Sequence, residues 1–234
     1  MRPDGAAERG DVRMGYQTPL QQQAYDYLLE QIRKGAFRPG EIYSETRLAA
    51  EIGISRTPVK DALVRLSQDR TVDILPSRGF RLHRLTREDV FTTFQARTAV
   101  EGYCALELAR DRASVRGQGA LGALRDCIAQ MERQIAGALD RSALLEQDLE
   151  FHRLLVGHAG NRELGRVYEL LNHRVASIAR ESLALPGRPA QALAEHRQIL
   201  WAVGQAEDPF ESYRVVAAHL ETTRDLMLEL LGQE

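Results

Sequence analysis

The sequence predicts a mainly α-helical protein with two domains: an N-terminal winged helix-turn-helix and a C-terminal all-α antiparallel helical bundle. Three observations predict it. Residues 55–66, Ser-Arg-Thr-Pro-Val-Lys-Asp-Ala-Leu-Val-Arg-Leu, open on a capping residue and put Val59, Ala62, Leu63 and Leu66 on one face of a 3.6-period helix. Residues 48–54 before them form a short amphipathic helix ended by Gly53, so a helix, a glycine turn and a capped basic helix follow in order. From Thr86 onward the pattern is helical to the end of the chain.

Residues 1–17 carry Asp4, Glu8 and Asp11 and no apolar segment; they read as a disordered tail and not as a signal peptide. The first helix is expected over residues 21–34, with Ala24, Leu28 and Ile32 on one side, Gly35 ending it and residues 37–40 turning. Ser44 caps the second helix. The basic helix starts at Ser55, and Pro58 costs little in its first turn. Its Arg56, Lys60 and Arg65 lie off the apolar stripe and form a cationic surface. Residues 71–75 and 79–83 are β-like and joined by Pro76-Ser77-Arg78, a hairpin that supplies the wing. The DNA-binding domain is thus expected over 18–84 and the helical domain over 85–234. Thr86 with Asp89 caps a helix to about residue 111, and further helices are expected over 117–137, 141–158, 161–184, 189–206 and 209–232. Asp140, Asn161 and Asp208 are the expected caps, Pro209 takes a first helical position, and residues 185–189 make the clearest break.

The chain has 234 residues and a formal charge of −2, unevenly spread. Residues 18–84 hold 11 Lys/Arg against 8 Asp/Glu, whereas residues 85–234 hold 17 against 22, which fits a limited basic patch on the smaller domain. No apolar run approaches the roughly 20 residues that cross a bilayer. Cys104 and Cys127 fall inside helical patterns and read as reduced, buried thiols of a cytoplasmic protein.

The N-terminal residues resemble the GntR family of bacterial transcription regulators. Ile32, Gly35, Pro39-Gly40, Leu48-Ala49, Ile52-Gly53, residues 55–63, Arg65-Leu66 and residues 76–80 carry that resemblance. The helical remainder resembles the effector domain of the FadR subgroup, called FCD, through Arg97 and Glu101, residues 148–152, Gly160-Asn161, Glu195-His196 and residues 218–220. Two departures from the family pattern stand out, at Lys60 and at Arg70-Thr71. Lys60 replaces an arginine, keeping the charge but losing the bidentate fork. Arg70-Thr71 replace glycine and an apolar residue, so the helix exit and wing entry are expected to differ, a left-handed non-glycine residue costing about 1 kcal/mol.

The resemblance implies a homodimer on a palindromic double-stranded operator, acting as a repressor. Ser55, Arg56, Thr57 and Lys60 occupy the first turns of the recognition helix. Arg56 is the expected base contact, its fork matching the two acceptors of guanine, while Ser55 and Thr57 suit phosphate and Ser55 serves equally as a plain cap. Arg78 and Gly79 are expected at the wing tip, Gly79 permitting close approach to the minor groove.

Asp148 and His152 stand four apart on one helix face, and His196 and His219 lie on two later helices. One carboxylate and three imidazoles suit zinc, nickel or manganese, although an Asp/His pair at this spacing is more often a surface hydrogen bond. All four match the metal-binding version of the FCD domain. The resemblance further implies a small organic acid bound through its carboxylate beside the metal, with Arg97 and Asn172 as effector-binding candidates. Arg97 equally suits an i, i+4 salt bridge with Glu101, and a neutral effector stays open. His158 and His173 read as packing or surface residues. A metal-responsive regulator without organic effector is the alternative. A metal-dependent enzyme ranks lower: no base is well placed, and neither Gly-x-Ser-x-Gly nor a phosphate loop occurs.

Overall fold

The computed structural model describes residues 18–38, 40–137 and 139–232, so the expected tail over residues 1–17 and Pro39 of the first turn lie outside the described residues. The architecture is mainly α, with a two-stranded wing, and the chain divides into two compact units between His83 and Arg84.

The first unit runs α1 (Pro19–Arg33), α2 (Glu45–Ile52), α3 (Arg56–Gln68), β1 (Val72–Leu75) and β2 (Gly79–Leu82). Helix α1 starts earlier than the apolar period suggests, because Thr18 and Gln21 form a reciprocal capping box and Pro19 occupies the first turn. Helix α2 is capped by Ser44 and stops at Gly53, whose φ of 78° closes the turn into α3. On α3 the residues Val59, Ala62, Leu63 and Leu66 are buried, in one core with Ala24 and Leu28 of α1 and Val72 and Phe80 of the wing. Arg65 departs from the expected cationic surface. Its guanidinium lies 3.8 Å from the Tyr25 ring centroid and donates to Gln22, so it fastens α3 to α1. The strands pair antiparallel from Val72↔Leu82 to Leu75↔Gly79, and Phe80 also bridges Tyr43.

The expected departure at the end of α3 does not occur. Arg70 adopts φ 52°, the left-handed geometry that glycine favours. The Thr71 N–H donates to the Leu66 carbonyl at 2.8 Å and the Arg70 N–H to the Ser67 carbonyl at 3.1 Å, the two bonds of a Schellman motif. Two otherwise orphaned carbonyls are satisfied, which offsets the left-handed cost of about 1–2 kcal/mol.

The second unit comprises α4 (Arg87–Asp111), α5 (Val115–Ala136), α6 (Arg141–His158), α7 (Arg162–Ala184), α8 (Arg188–Gln205) and α9 (Phe210–Leu230). Thr86 and Asp89 form a second capping box, and Asp140 and Asn161 cap α6 and α7 through their side chains. Ser114 caps α5 two residues before the expected start, and Pro209 stands at the cap of α9 while Asp208 accepts from the Phe210 N–H. Helix α4 packs along α9, and α5 packs against α6 and α8. Phe94, Leu108, Leu121, Leu124, Phe151, Leu155, Ile178 and Val216 fill the core. Among them lie buried polar groups from four helices: Arg97, Glu101, Asp148, His152, Arg188, His196 and His219.

Replacing Arg70 with Gly or with Val removes the same side chain but treats the left-handed backbone oppositely. The α3 amides of the Gly variant are expected to stay more protected by about 1–2 kcal/mol in native-state hydrogen exchange. Equal protection in the two variants would show that the backbone carries no strain.

Candidate DNA-reading face and metal centre

Helix α3 presents Ser55, Arg56, Thr57 and Lys60 outward at its start while Pro58 and Val59 turn into the core. Ser55 has the extended cap backbone, but its hydroxyl makes no capping hydrogen bond. Arg56 is two-thirds exposed and held only loosely, 3.8 Å from Glu45 on α2. The structure therefore brings these four together on one solvent-facing edge. Arg78 is exposed in the hairpin, where its N–H donates to the Leu75 carbonyl. Gly79 is also closely packed within the unit itself. A Cβ there would sit 2.0 Å from the Tyr43 carbonyl oxygen, so it permits a close approach to the protein's own backbone, beside the Tyr43–Phe80 bridge.

In the helical unit, α6 places Asp148 and His152 one turn apart on its inner face, α8 contributes His196 and α9 contributes His219. The His152 Nε2 lies 3.2 Å from the His196 Nε2 and 3.3 Å from the His219 Nε2. The Asp148 Oδ1 is 3.7 Å from the His196 Nε2. The three histidines singled out in the sequence thus meet at one point, and Asp148 stands beside His196.

Carboxylates outside that point decide which way the imidazoles face. The His152 Nδ1 donates to Glu101 at 2.6 Å, and the His219 Nδ1 donates to Glu195 at 2.6 Å. Burial alone raises the Glu101 carboxyl, but the charge of Arg97 and bonds from His152 and Arg97 pull it down to about 2. Burial likewise opposes ionisation of Glu195, and hydrogen bonds from His219 and Arg188 lower its pKa regardless. Ionised carboxylates only accept, so each ring presents its Nδ1–H to a carboxylate and turns Nε2 toward the other histidines. Burial, and then the neighbouring His219 and His152, hold His196 well below the ordinary histidine range; burial also lowers His219 against the pull of Glu195. The His196 ring stacks on Phe151 at 4.4 Å, and its buried Nδ1 has no hydrogen-bond partner.

Two imidazole Nε2 atoms 3.3 Å apart are held together either by a shared proton or by a cation between them. Ligand atoms at 2.0–2.1 Å from a tetrahedral zinc are separated by about 3.3–3.4 Å, which matches these spacings. The three imidazoles therefore fit a divalent metal, with the Asp148 carboxylate beside His196 as the candidate fourth donor.

Arg97 lies in the same buried cluster, its Nε donating to Glu101 at 2.6 Å, so the salt bridge with Glu101 is present. It also lines a cavity of about 20 Å³ with Asp148, His152, Arg188, His219 and Thr223. That volume holds about one water molecule. Asn172 does not join it. Helix α7 turns Leu171, Val175, Ile178 and Ser182 inward, and Asn172, some 100° round from Leu171, is exposed. Glu101 and Glu195 entered the sequence reading only as motif neighbours, and Arg188 entered only as part of a chain break. The signal for the first two was their inward helical register. His158, read as packing or surface, is buried beside Asp111, with 3.1 Å between Nε2 and Oδ2.

Residues 92–222 match the family described as FCD domain, and residues 20–82 match bacterial regulatory proteins, gntR family. The HTH-type transcriptional regulator YdhC of Bacillus subtilis (strain 168) is 28% identical over 207 residues, spanning 88% of this chain and 91% of the relative. The HTH-type transcriptional repressor RspR of Escherichia coli (strain K12) is 27% identical over 206 residues, spanning 87% of this chain and 86% of the relative. A crystal structure of a GntR transcriptional regulator from Rhodococcus sp. RHA1 shares the fold, with a TM-score of 0.73 at 20% identity over 91% of this chain and 99% of that one.

Glu101→Ala strands the buried Arg97 guanidinium. Thermal unfolding of the metal-free protein, followed by the fluorescence of Trp201 on α8, should show a loss of about 3–5 kcal/mol. A loss below about 1 kcal/mol would mean that water reaches Arg97.

Proposed function

We propose, since the chain belongs to the gntR family of bacterial regulatory proteins and carries an FCD domain, a repressor governed by a divalent metal and a small organic acid. That the protein is a DNA-binding transcriptional regulator, and not an enzyme, follows from the family and its relatives, one of them named as a repressor. What is proposed is the finer reading: a cytoplasmic homodimer, a palindromic operator, base contact through Arg56, phosphate contact through Ser55, Thr57, Lys60 and Arg78, and a metal on Asp148, His152, His196 and His219. No described helix is long and apolar enough to cross a membrane.

One observation carries the metal reading: the His152 and His219 Nε2 atoms stand 3.3 Å apart with both Nδ1 protons committed to carboxylates. Such an ion supplies a Lewis-acid centre for a ligand's carboxylate. The chain's own residues prepare for one: Arg97 offers charge along the cavity wall, and the apolar side chains of Phe151 and Leu183 exclude water nearby. An organic acid needs more room than about 20 Å³, so its entry requires the helices around the cavity to part. The same tightness favours the second reading, in which the metal alone is the signal. In either case the change in DNA affinity equals the coupling free energy between the sites, typically about 1–3 kcal/mol.

Arg56→Ala should weaken operator binding at fixed salt by about 5- to 150-fold while circular dichroism stays unchanged, since a bidentate base contact is worth about 1–3 kcal/mol. Binding within threefold of the unaltered protein would remove Arg56 from the interface. The double variant His152→Ala/His219→Ala should lose the metal that elemental analysis finds in the purified protein, and full occupancy would refute the site. Adding a chelator and candidate acids separately to the DNA-binding assay distinguishes the two readings: response to the chelator alone favours the metal as signal.

A further inference from the structure

Arg188 is the first residue of α8, directly after the left-handed Gly187, yet it is only 3% exposed. Helix stability does not account for it. A cation at a helix N-terminus opposes the macrodipole, and burying a guanidinium is costly unless each donor finds a partner. Here the donors do. Nη1 and Nη2 grip the two oxygens of Glu195 at 2.8 and 2.9 Å, Nη2 also reaches the Thr223 Oγ1 at 2.7 Å, and Nε lies 3.4 Å from the Ser182 Oγ.

Both strong contacts lead to the same histidine. Glu195 accepts from the His219 Nδ1 at 2.6 Å through the oxygen that Nη2 grips, and the Thr223 hydroxyl turns back on the His219 carbonyl at 3.3 Å. Arg97 stands to His152 in a similar relation through Glu101, but less evenly, with one contact at 2.6 Å and the other at 3.5 Å. The even fork of Arg188 leaves Glu195 no freedom to rotate.

We propose that Arg188 is a positioning residue for the metal centre: it clamps Glu195, and through it fixes the His219 ring with the proton on Nδ1 and Nε2 toward His152. The inference rests on the metal reading given above and adds to it the residue that sets one ligand's tautomer and aim. A structural staple joining α7, α8 and α9 is the competing role, and it predicts loss of stability without any selective effect on His219.

The test uses the full-length protein, stripped of metal and titrated with Zn²⁺ against a competing chelator. Arg188→Met is expected to bind zinc about 10- to 100-fold more weakly, the usual effect of removing an outer partner of a metal ligand, and Arg188→Lys to fall between. In a His219→Ala background the same substitution should change affinity less than twofold, because the ligand it serves is gone. Nitrogen-15 shifts of the metal-free protein should report His219 protonated at Nδ1, and a mixture of tautomers in Arg188→Met. Affinity within twofold of the unaltered protein, or an equal loss in the His219→Ala background, overturns the proposal in favour of the staple. If Arg188→Met does not fold, Glu195→Gln, nearly equal in volume, is measured in its place with the same expected loss and the same dependence on His219. Should the unaltered protein bind no zinc, nickel or manganese, the metal reading fails, and the tautomer measurement still decides what Arg188 does.

Discussion

An ionised group inside a helical bundle must be matched by another, and that requirement organises the second unit. Glu101 is wholly buried and stays ionised because Arg97 lies alongside it. Only an ionised Glu101 accepts the proton of His152, and only then does that ring turn its Nε2 toward His196 and His219. The convergence of the three imidazoles is thus a consequence of charge pairing two layers out. Removing the pair would leave the histidines in place in the sequence but without a shared direction. The apolar core around them, including Phe151 against His196, keeps the dielectric low and makes every one of these contacts stronger than it would be in water.

The first unit is governed by a simpler division of one helix. The face of α3 that carries Val59, Ala62, Leu63 and Leu66 is committed to the core, so the opposite edge at Arg56 and Lys60 faces solvent. Arg65 shows how strict that division is: one basic residue on the same helix is drawn onto Tyr25 and taken out of the exposed set. The wing is held by the same economy of space. Gly79 lets β2 lie against the backbone at Tyr43, and Phe37 then meets Tyr43 and Phe80 edge to face, those two rings being tilted at 36° to each other.

Much of this is legible in the residues alone, and the remainder fails for identifiable reasons. The apolar period of α3 reads directly into its burial, and the four-residue step from Asp148 to His152 reads directly into a shared face. Helices α1 and α5 begin before their apolar periods do, because the caps Thr18 and Ser114 lie outside that pattern. Asn172 illustrates the sensitivity of helical register: one position past Leu171 moves a side chain from core to solvent. The contact between Gly79 and Tyr43 joins residues 36 apart, and the clamp of Arg188 on Glu195 and Thr223 depends on a chain reversal that a Pro-Gly break conceals. Neither leaves a local pattern. Arg70 is the reverse case, in which a local rule correctly flagged strain but the backbone hydrogen bonds around it kept the conformation.

The small volume of the cavity beside His152 and His219 bears on time as well as on selectivity. An ion bound there would sit among side chains from α4, α6, α8 and α9, so its exchange would depend on how readily those helices part. Such openings draw on local unfolding, which spans microseconds to seconds and reaches far longer where the bundle is most stable. A metal-governed regulator built in this way would not follow each fluctuation in its surroundings. It would average supply over its own opening interval and carry forward a memory of recent conditions, set by packing density and not by affinity.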